Sequence, residues 1–148
     1  MNPHQLEDWL SHLERLHPKT IELGLDRVLA VRDSLKLAPT FPVILVGGTN
    51  GKGSTCAMLE AMLLAAGYRV GLYTSPHLIR YKERVRIDGR MASDAALCQA
   101  FAAVEAARNE TVLTYFEFGT LAAMWQFVHA KIEVAILEVG LGGRMDAV

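Results

Sequence analysis

What this sequence has little of already narrows it. Its formal net charge is −1, which argues against a general nucleic-acid or membrane binder. It holds two cysteines, Cys56 and Cys98. They form neither a disulfide framework nor a metal-like pair, and they point to a reducing compartment. The N-terminus, MNPHQLEDWL, carries acids and no long apolar run, so no signal peptide is expected. The longest apolar run, near Met58, is broken by Glu60 and is far too short to cross a bilayer. Internal repeats and low-complexity segments are absent. What is there is an ordinary globular composition, 51% hydrophobic and 21% charged over 148 residues, enough for one domain with a real core.

The chain is organised around 43–66. An apolar run, Val43-Ile-Leu-Val46, meets a turn with four glycines in seven residues, Gly47 to Gly53, and a helix-period stretch opens at Ser54. Strand, glycine turn with lysine, helix is the order of a phosphate-binding loop. Glycines let backbone N–H groups converge on an anion without Cβ obstruction. The following helix aims roughly half a positive charge at the same point. Lys52 adds a full charge, and Ser54 or Thr55 can offer a hydroxyl to a phosphate or to Mg²⁺. The spacing is unusual: the common loop reads G-x-x-x-x-G-K-[ST], whereas Gly53 here separates Lys52 from Ser54. The bland alternative is a glycine-rich turn with an exposed lysine.

Helical spacing covers 4–16, where Pro18 ends it, and 25–37. Residues 69–74 read as a second, buried strand, parallel to the first across a right-handed βαβ unit. Ile79 to Arg90 alternates and is charged, and reads as a loop with a short exposed strand or hairpin arm ending at Asp88-Gly89. Ser93 caps a helix through about Ala107, with Asp94 in its first turn. Thr114 to Phe116 reads as a short extended piece, Glu117 to Ala130 as a helix, and Ile132 to Val139 as a central parallel strand. The alternation predicts an α/β doubly wound domain with its site at the carboxyl ends of the strands. The glycine-rich turn at Gly140 to Arg144 leads one to expect a further element beyond Val148.

Those strand ends deliver Gly48 to Ser54, then Ser75 to His77, then Glu138. A carboxylate ending an apolar strand is costly to bury unless it is paired or on a metal. Glu138 therefore either contacts Mg²⁺ or pairs with Lys52 or Arg144. Ser75 is a turn cap or a metal or phosphate contact, and His77 can be a loop histidine with no task. The basic residues Arg80, Lys82, Arg84, Arg86 and Arg90 are a solvated arm or a flap over an anionic substrate. Tyr115, Phe116 and Phe118 are core by default, as are the two cysteines.

Together, Gly48-Thr-Asn-Gly-Lys-Gly-Ser54, Thr74-Ser-Pro-His-Leu78, Glu138-Val-Gly-Leu-Gly-Gly-Arg-Met-Asp-Ala147, the stretch 17–27 and Thr114-Tyr-Phe-Glu117 resemble the folylpolyglutamate synthase/dihydrofolate synthase family of the Mur ligase superfamily. The resemblance covers essentially the whole chain. One departure is Met145, where leucine is more usual. The resemblance implies a P-loop NTPase-like fold: an α/β, mostly parallel sheet flanked by helices, the Mur ligase central ATPase domain, here incomplete. Residues 1–148 would then be a partial N-terminal ATP-binding domain. Residues 1–41 would be helices leading into the P-loop core, and the C-terminal glutamate-binding domain would be absent.

It also implies an ATP-dependent amide ligase of folate biosynthesis, cytoplasmic and a monomer at full length. L-glutamate would be added to dihydropteroate, to a folate or to both through an acyl phosphate. Thr49, Asn50, Gly51, Lys52, Gly53 and Ser54 would hold ATP, and Ser75 and Glu138 would hold Mg²⁺. Lys52 and Glu138 are the catalytic candidates. Ile21, Leu23, Thr114, Tyr115, Phe116, Glu117, Met145, Asp146 and Ala147 would line a pterin slot, with Asp146 bonded to the ring. Lys82 to Arg90 would belong to a mobile substrate loop. The family's second-metal histidine and carbamylated lysine fall outside these residues, so the chain alone is expected to be inactive. Two other readings stand beside this one: a Mur-type ligase of a cell-wall precursor, and a nucleotide-binding module without catalysis.

Overall fold

The computed structural model of the chain describes residues 2–16, 24–140 and 142–148. It divides into two compact units. The first takes residues from 1–38 and 93–126 with residue 147, and the second takes 39–92 and 127–146 with residue 148.

The first unit is helical. Helix α1 (Leu6–Leu16) buries Leu6, Trp9 and Leu13, one face at helical spacing. Glu7 and Asp8 open it and Arg15 closes it, which suits the helix dipole. Helix α2 (Asp26–Ser34) buries Val28 and Val31. Helix α4 (Asp94–Arg108) starts at Ser93, whose hydroxyl accepts from the Ala96 amide at 3.1 Å. Both α1 and α2 pack against that helix. Trp9, Phe101 and Phe118 stack through it, with ring centroids 6.0 and 5.9 Å apart. Each such fully buried side chain contributes about 1.5–3 kcal/mol.

The second unit is a five-stranded sheet. Its strands are β1 (Val43–Val46), β2 (Val70–Tyr73), β3 (Val85–Ile87), β4 (Arg90–Met91) and β5 (Val134–Glu138), in the order β1-β5-β2-β3-β4. The pairs β1–β5 and β5–β2 are parallel, while β2–β3 and β3–β4 are antiparallel. Helix α3 (Lys52–Ala65) joins β1 to β2 and packs on β1, β5 and β2. The core beneath it holds Val46, Cys56, Val70, Leu72, Val134 and Ile136. Gly71 is required by packing: a Cβ there would lie 2.6 Å from Ile132 Cδ1 and 2.8 Å from Phe127. The last helix, α5 (Tyr115–Ala130), crosses from the first unit into the second.

Three expectations are corrected. Helix α3 opens at Lys52, not Ser54, because Gly51 adopts a left-handed φ of 74° and lets the next residue enter the helix. Tyr115 and Phe116 are helical, not extended. Thr114 and Glu117 form a capping box at that helix start: the Glu117 amide donates to Thr114 Oγ1 at 3.2 Å, and the Thr114 amide donates to Glu117 Oε2 at 2.8 Å. The segment 79–90 holds the expected short strand and turn at Asp88-Gly89 but is not an exposed arm. A 3₁₀ turn (Tyr81–Arg84) runs into β3, and Tyr81, Arg84 and Val85 are buried. Asp88 and Gly89, both at positive φ, turn β3 into β4, the mark of a type I′ hairpin.

Candidate functional site

The turn after β1 puts Gly48 at φ 145° and Gly51 at φ 74°, conformations that side chains resist. A Cβ at Gly51 or Gly53 would meet nothing, so the loop faces open space. Helix α3 begins with no side-chain cap and no acid in its first turn. Its first amides are thus left for an anion, where the helix dipole also favours negative charge. Thr55 Oγ1 donates to the Gly51 carbonyl at 2.9 Å, which leaves the exposed hydroxyls of Thr49 and Ser54 without a partner among the described residues. Lys52 is half-buried and makes no ion pair among the described residues.

Glu138 ends β5 in register with Val46 of β1 and is 6% exposed. Its Oε2 accepts from the Ser75 amide at 3.0 Å. Among the described residues no cation pairs with it, so the alternative of an ion pair with Lys52 or Arg144 does not form there. Ser75 follows β2, ahead of a cis bond to Pro76. Gly53, Ser75 and Glu138 line one cavity of about 730 Å³, which also reaches Thr74, Glu60 and Arg86. No group of three or more His, Cys, Asp or Glu side chains able to hold a metal occurs among the described residues. Cys56 is fully buried beneath the loop. Burial, and then the charges of Glu138 and Glu60, push its thiol up to about 11, so it stays neutral and acts as a small core residue.

The basic stretch is committed to structure. Arg84 Nε donates to His77 Nδ1 at 2.8 Å, and its guanidinium lies 5.3 Å from the Tyr81 ring centroid. Burial and the Arg84 charge lower the His77 pKa. Glu83 accepts from the amides of Leu78, Ile79 and Arg80, and those bonds hold its carboxyl below the usual range. Arg86 pairs with Glu60.

The expected pterin residues fall in different places. Thr114, Tyr115, Phe116 and Glu117 start helix α5 in the first unit. Both Glu117 oxygens are occupied there, since Arg27 Nη2 and Nε donate to them at 2.7 and 3.2 Å. Asp146 is buried in the second unit, and its Oδ1 accepts from the Val148 amide at 3.0 Å. Met145 is 48% exposed, and Ala147 is half-buried. Ile21 and Leu23 lie outside the described residues. Sequence reasoning missed Arg27 and the Glu60–Arg86 pair. The T-x-x-E signature at 114–117 was the available signal for the first. For the second it was a lone glutamate interrupting an apolar helix face.

No family model matches the chain. Its relatives are nevertheless clear. It is 56% identical over 143 residues to the dihydrofolate synthase/folylpolyglutamate synthase of Escherichia coli, an alignment covering 96% of this chain and 34% of that protein. Over 143 of its residues, the chain is similar to the dihydrofolate synthase/folylpolyglutamate synthases. It spans about a third of the length of the curated family members it matches. Among solved structures of the family, E. coli FolC in complex with DHPP and ADP superposes with a TM-score of 0.94 at 56% identity, covering 97% of this chain and 35% of that one. The bifunctional enzyme of Yersinia pestis complexed with AMPPNP and Mn ion gives 0.91 at 58% identity, with coverages of 97% and 35%. The mostly parallel α/β sheet expected from the sequence is the fold they share.

Proposed function

We propose that the polypeptide carrying this chain is an ATP-dependent amide ligase that adds L-glutamate to dihydropteroate, to a reduced folate or to both. It acts as a monomer in the cytoplasm. Residues 1–148 supply its phosphate-binding part, with 1–41 leading into it, and the glutamate site lies outside them. The observation carrying this reading is the meeting of Gly53, Ser75 and Glu138 in one cavity at the ends of β1, β2 and β5. No helix among the described residues is long and apolar enough to cross a membrane.

The residues suit the groups the reading requires. An uncapped, acid-free helix start behind open glycines suits phosphates. Thr49 to Ser54 would bind them, and Lys52 would neutralise the charge that develops as the γ-phosphoryl group moves. Glu138 has one oxygen engaged by the Ser75 amide and the other unbonded by any described residue. A carboxylate and a serine residue lining one cavity suit Mg²⁺, which favours oxygen donors and keeps several waters. Bound there, the ion would supply further neutralisation of phosphate charge.

The chemistry balances simply. A substrate carboxylate oxygen attacks the γ-phosphorus, ADP leaves, and an acyl phosphate forms. The glutamate amine then attacks the carbonyl carbon, an N–H proton is lost, and phosphate departs. Asp146 and Met145 to Ala147, with Tyr115 and Phe116, would contact the pterin. Glu117 would act there through its helix cap, since both its oxygens are taken. In the complete polypeptide, Lys52→Ala is expected to abolish ADP release with dihydropteroate and L-glutamate. Retained turnover would overturn the phosphate-loop assignment. The names of the relatives support a folate substrate over a cell-wall precursor.

A further inference from the structure

Glu60 is 5% exposed yet sits on a helix face that is otherwise apolar. It lies about two turns along α3 from Lys52. Arg86 on β3 grips it: Nε reaches Oε1 at 3.1 Å and Oε2 at 3.0 Å, and Nη2 reaches Oε1 at 3.0 Å. The same Nη2 donates to the Gly89 carbonyl at 2.8 Å, which fixes the hairpin turn. That turn fits closely on α3, since a Cβ at Gly89 would lie 3.1 Å from Leu64 Cδ1. Arg86 is in register with Leu72 of β2, and β2 runs on to Ser75. Both partners line the cavity that holds Gly53, Ser75 and Glu138.

We propose that Glu60 and Arg86 are a positioning pair that sets the phosphate-loop helix α3 against the strand carrying Ser75. Glu60 is buried while Arg86 is 36% exposed. Such an ion pair is a poor source of stability, because desolvation of the carboxylate and solvent screening of the guanidinium offset its attraction and apolar residues of like volume often do as well. What a forked guanidinium–carboxylate contact adds is one fixed geometry. An apolar contact would let the helix slide on the hairpin. The sequence places Lys52 and Gly53 at one end of this linkage and Ser75 at the other. The inference rests on the proposed function for what is positioned, though not for the positioning itself.

The test uses the complete polypeptide with Arg86→Lys and with the apolar pair Glu60→Met/Arg86→Leu. The readouts are melting temperature, amide hydrogen exchange at Ser75, and the kcat and KM for ATP of ADP release. The apolar pair is expected to keep the melting temperature. Exchange at Ser75 should accelerate about tenfold while the β5 amides keep theirs. The value of kcat should fall about 10- to 100-fold with KM for ATP little moved. Arg86→Lys keeps a charge but loses the fork, and should move exchange and kcat in the same direction. It decides the question if the apolar pair does not fold. Wild-type exchange at Ser75 with wild-type kcat in the folded variants would overturn the proposal. Absence of ADP release from the unaltered protein would sink the ligase reading instead, and Ser75 exchange would still decide the role of the pair.

Discussion

The backbone amide of Ser75 donates to Glu138 Oε2 at 3.0 Å, and this bond ties together the ends of two adjacent parallel strands, β2 and β5. It makes Glu138 two things at once, an acceptor for the backbone and a carboxylate facing the cavity. Glu138→Gln separates these roles. The amide oxygen can still accept from Ser75, but the charge is gone. The melting temperature should therefore stay within a few degrees of the unaltered protein. In the complete polypeptide, the Mg²⁺-dependent ADP release proposed above should fall by about 100-fold or more, the scale seen when one preorganised electrostatic contact is removed. Full activity in this variant of the complete polypeptide would overturn the proposal that Glu138 holds Mg²⁺.

Glu117 is only 2% exposed, and its carboxylate serves the Thr114 amide and Arg27 together. Losing a capping hydroxyl costs about 1 kcal/mol, so Thr114→Ala should cost that much. Glu117→Gln should cost more, about 2–3 kcal/mol, because the buried end of the Arg27 ion pair loses its charge; Arg27 is 26% exposed, which keeps the loss below that of a fully buried pair. Urea unfolding of the chain measures both. A Glu117→Gln protein as stable as the parent would show that the carboxylate is held for a ligand and not for the helix.

The same residues show what the sequence could and could not reveal. The phosphate loop was legible because glycine density, a lysine and a change of hydrophobic period all fall within a few residues. The strands β1, β2 and β5 were legible from their apolar runs. The apolar run of β5 also marked it as a central strand, and it lies between β1 and β2. That β3 and β4 extend the sheet beside β2 was not legible, since such pairing is decided by contacts distant in the chain. Tyr115 and Phe116 read as extended because aromatic residues favour strands, and the cap flanking them outweighed that preference. The segment 79–90 misled for another reason. Its charges look solvated in one dimension, but Glu83, Arg84 and Arg86 find partners at Leu78, His77 and Glu60 that only the fold supplies.

Gln126 is buried at 4% exposure, and its side-chain oxygen and nitrogen have no hydrogen-bond partner among the described residues. An unpaired buried amide carries its full desolvation cost. Gln126→Met is close in volume and removes both polar atoms. It should stabilise the chain by about 1 kcal/mol, which raises the melting temperature by about 2–4 °C at this size. A fall in melting temperature would show that the amide is bonded in solution.

His77 offers a pH test with a definite sign. Burial lowers its pKa from 6.5 first, the Arg84 charge lowers it further, and Glu83 opposes both. Because Arg84 Nε donates to Nδ1, the neutral ring must carry its proton on Nε2. Above 6.5 the ring is neutral in the folded and unfolded chains, and its contribution to stability does not change with pH. As pH falls through 6.5 the unfolded chain takes up a proton that the folded chain refuses, so stability declines. The decline ends once pH passes below the folded pKa. Proton NMR titration should therefore place the His77 midpoint below 6.5, and Arg84→Met should move it upward and flatten the decline. A midpoint at or above 6.5 in the parent chain would mean that Arg84 does not hold the ring in solution, and the loop after β2 would be tied to the 3₁₀ turn by Glu83 without it.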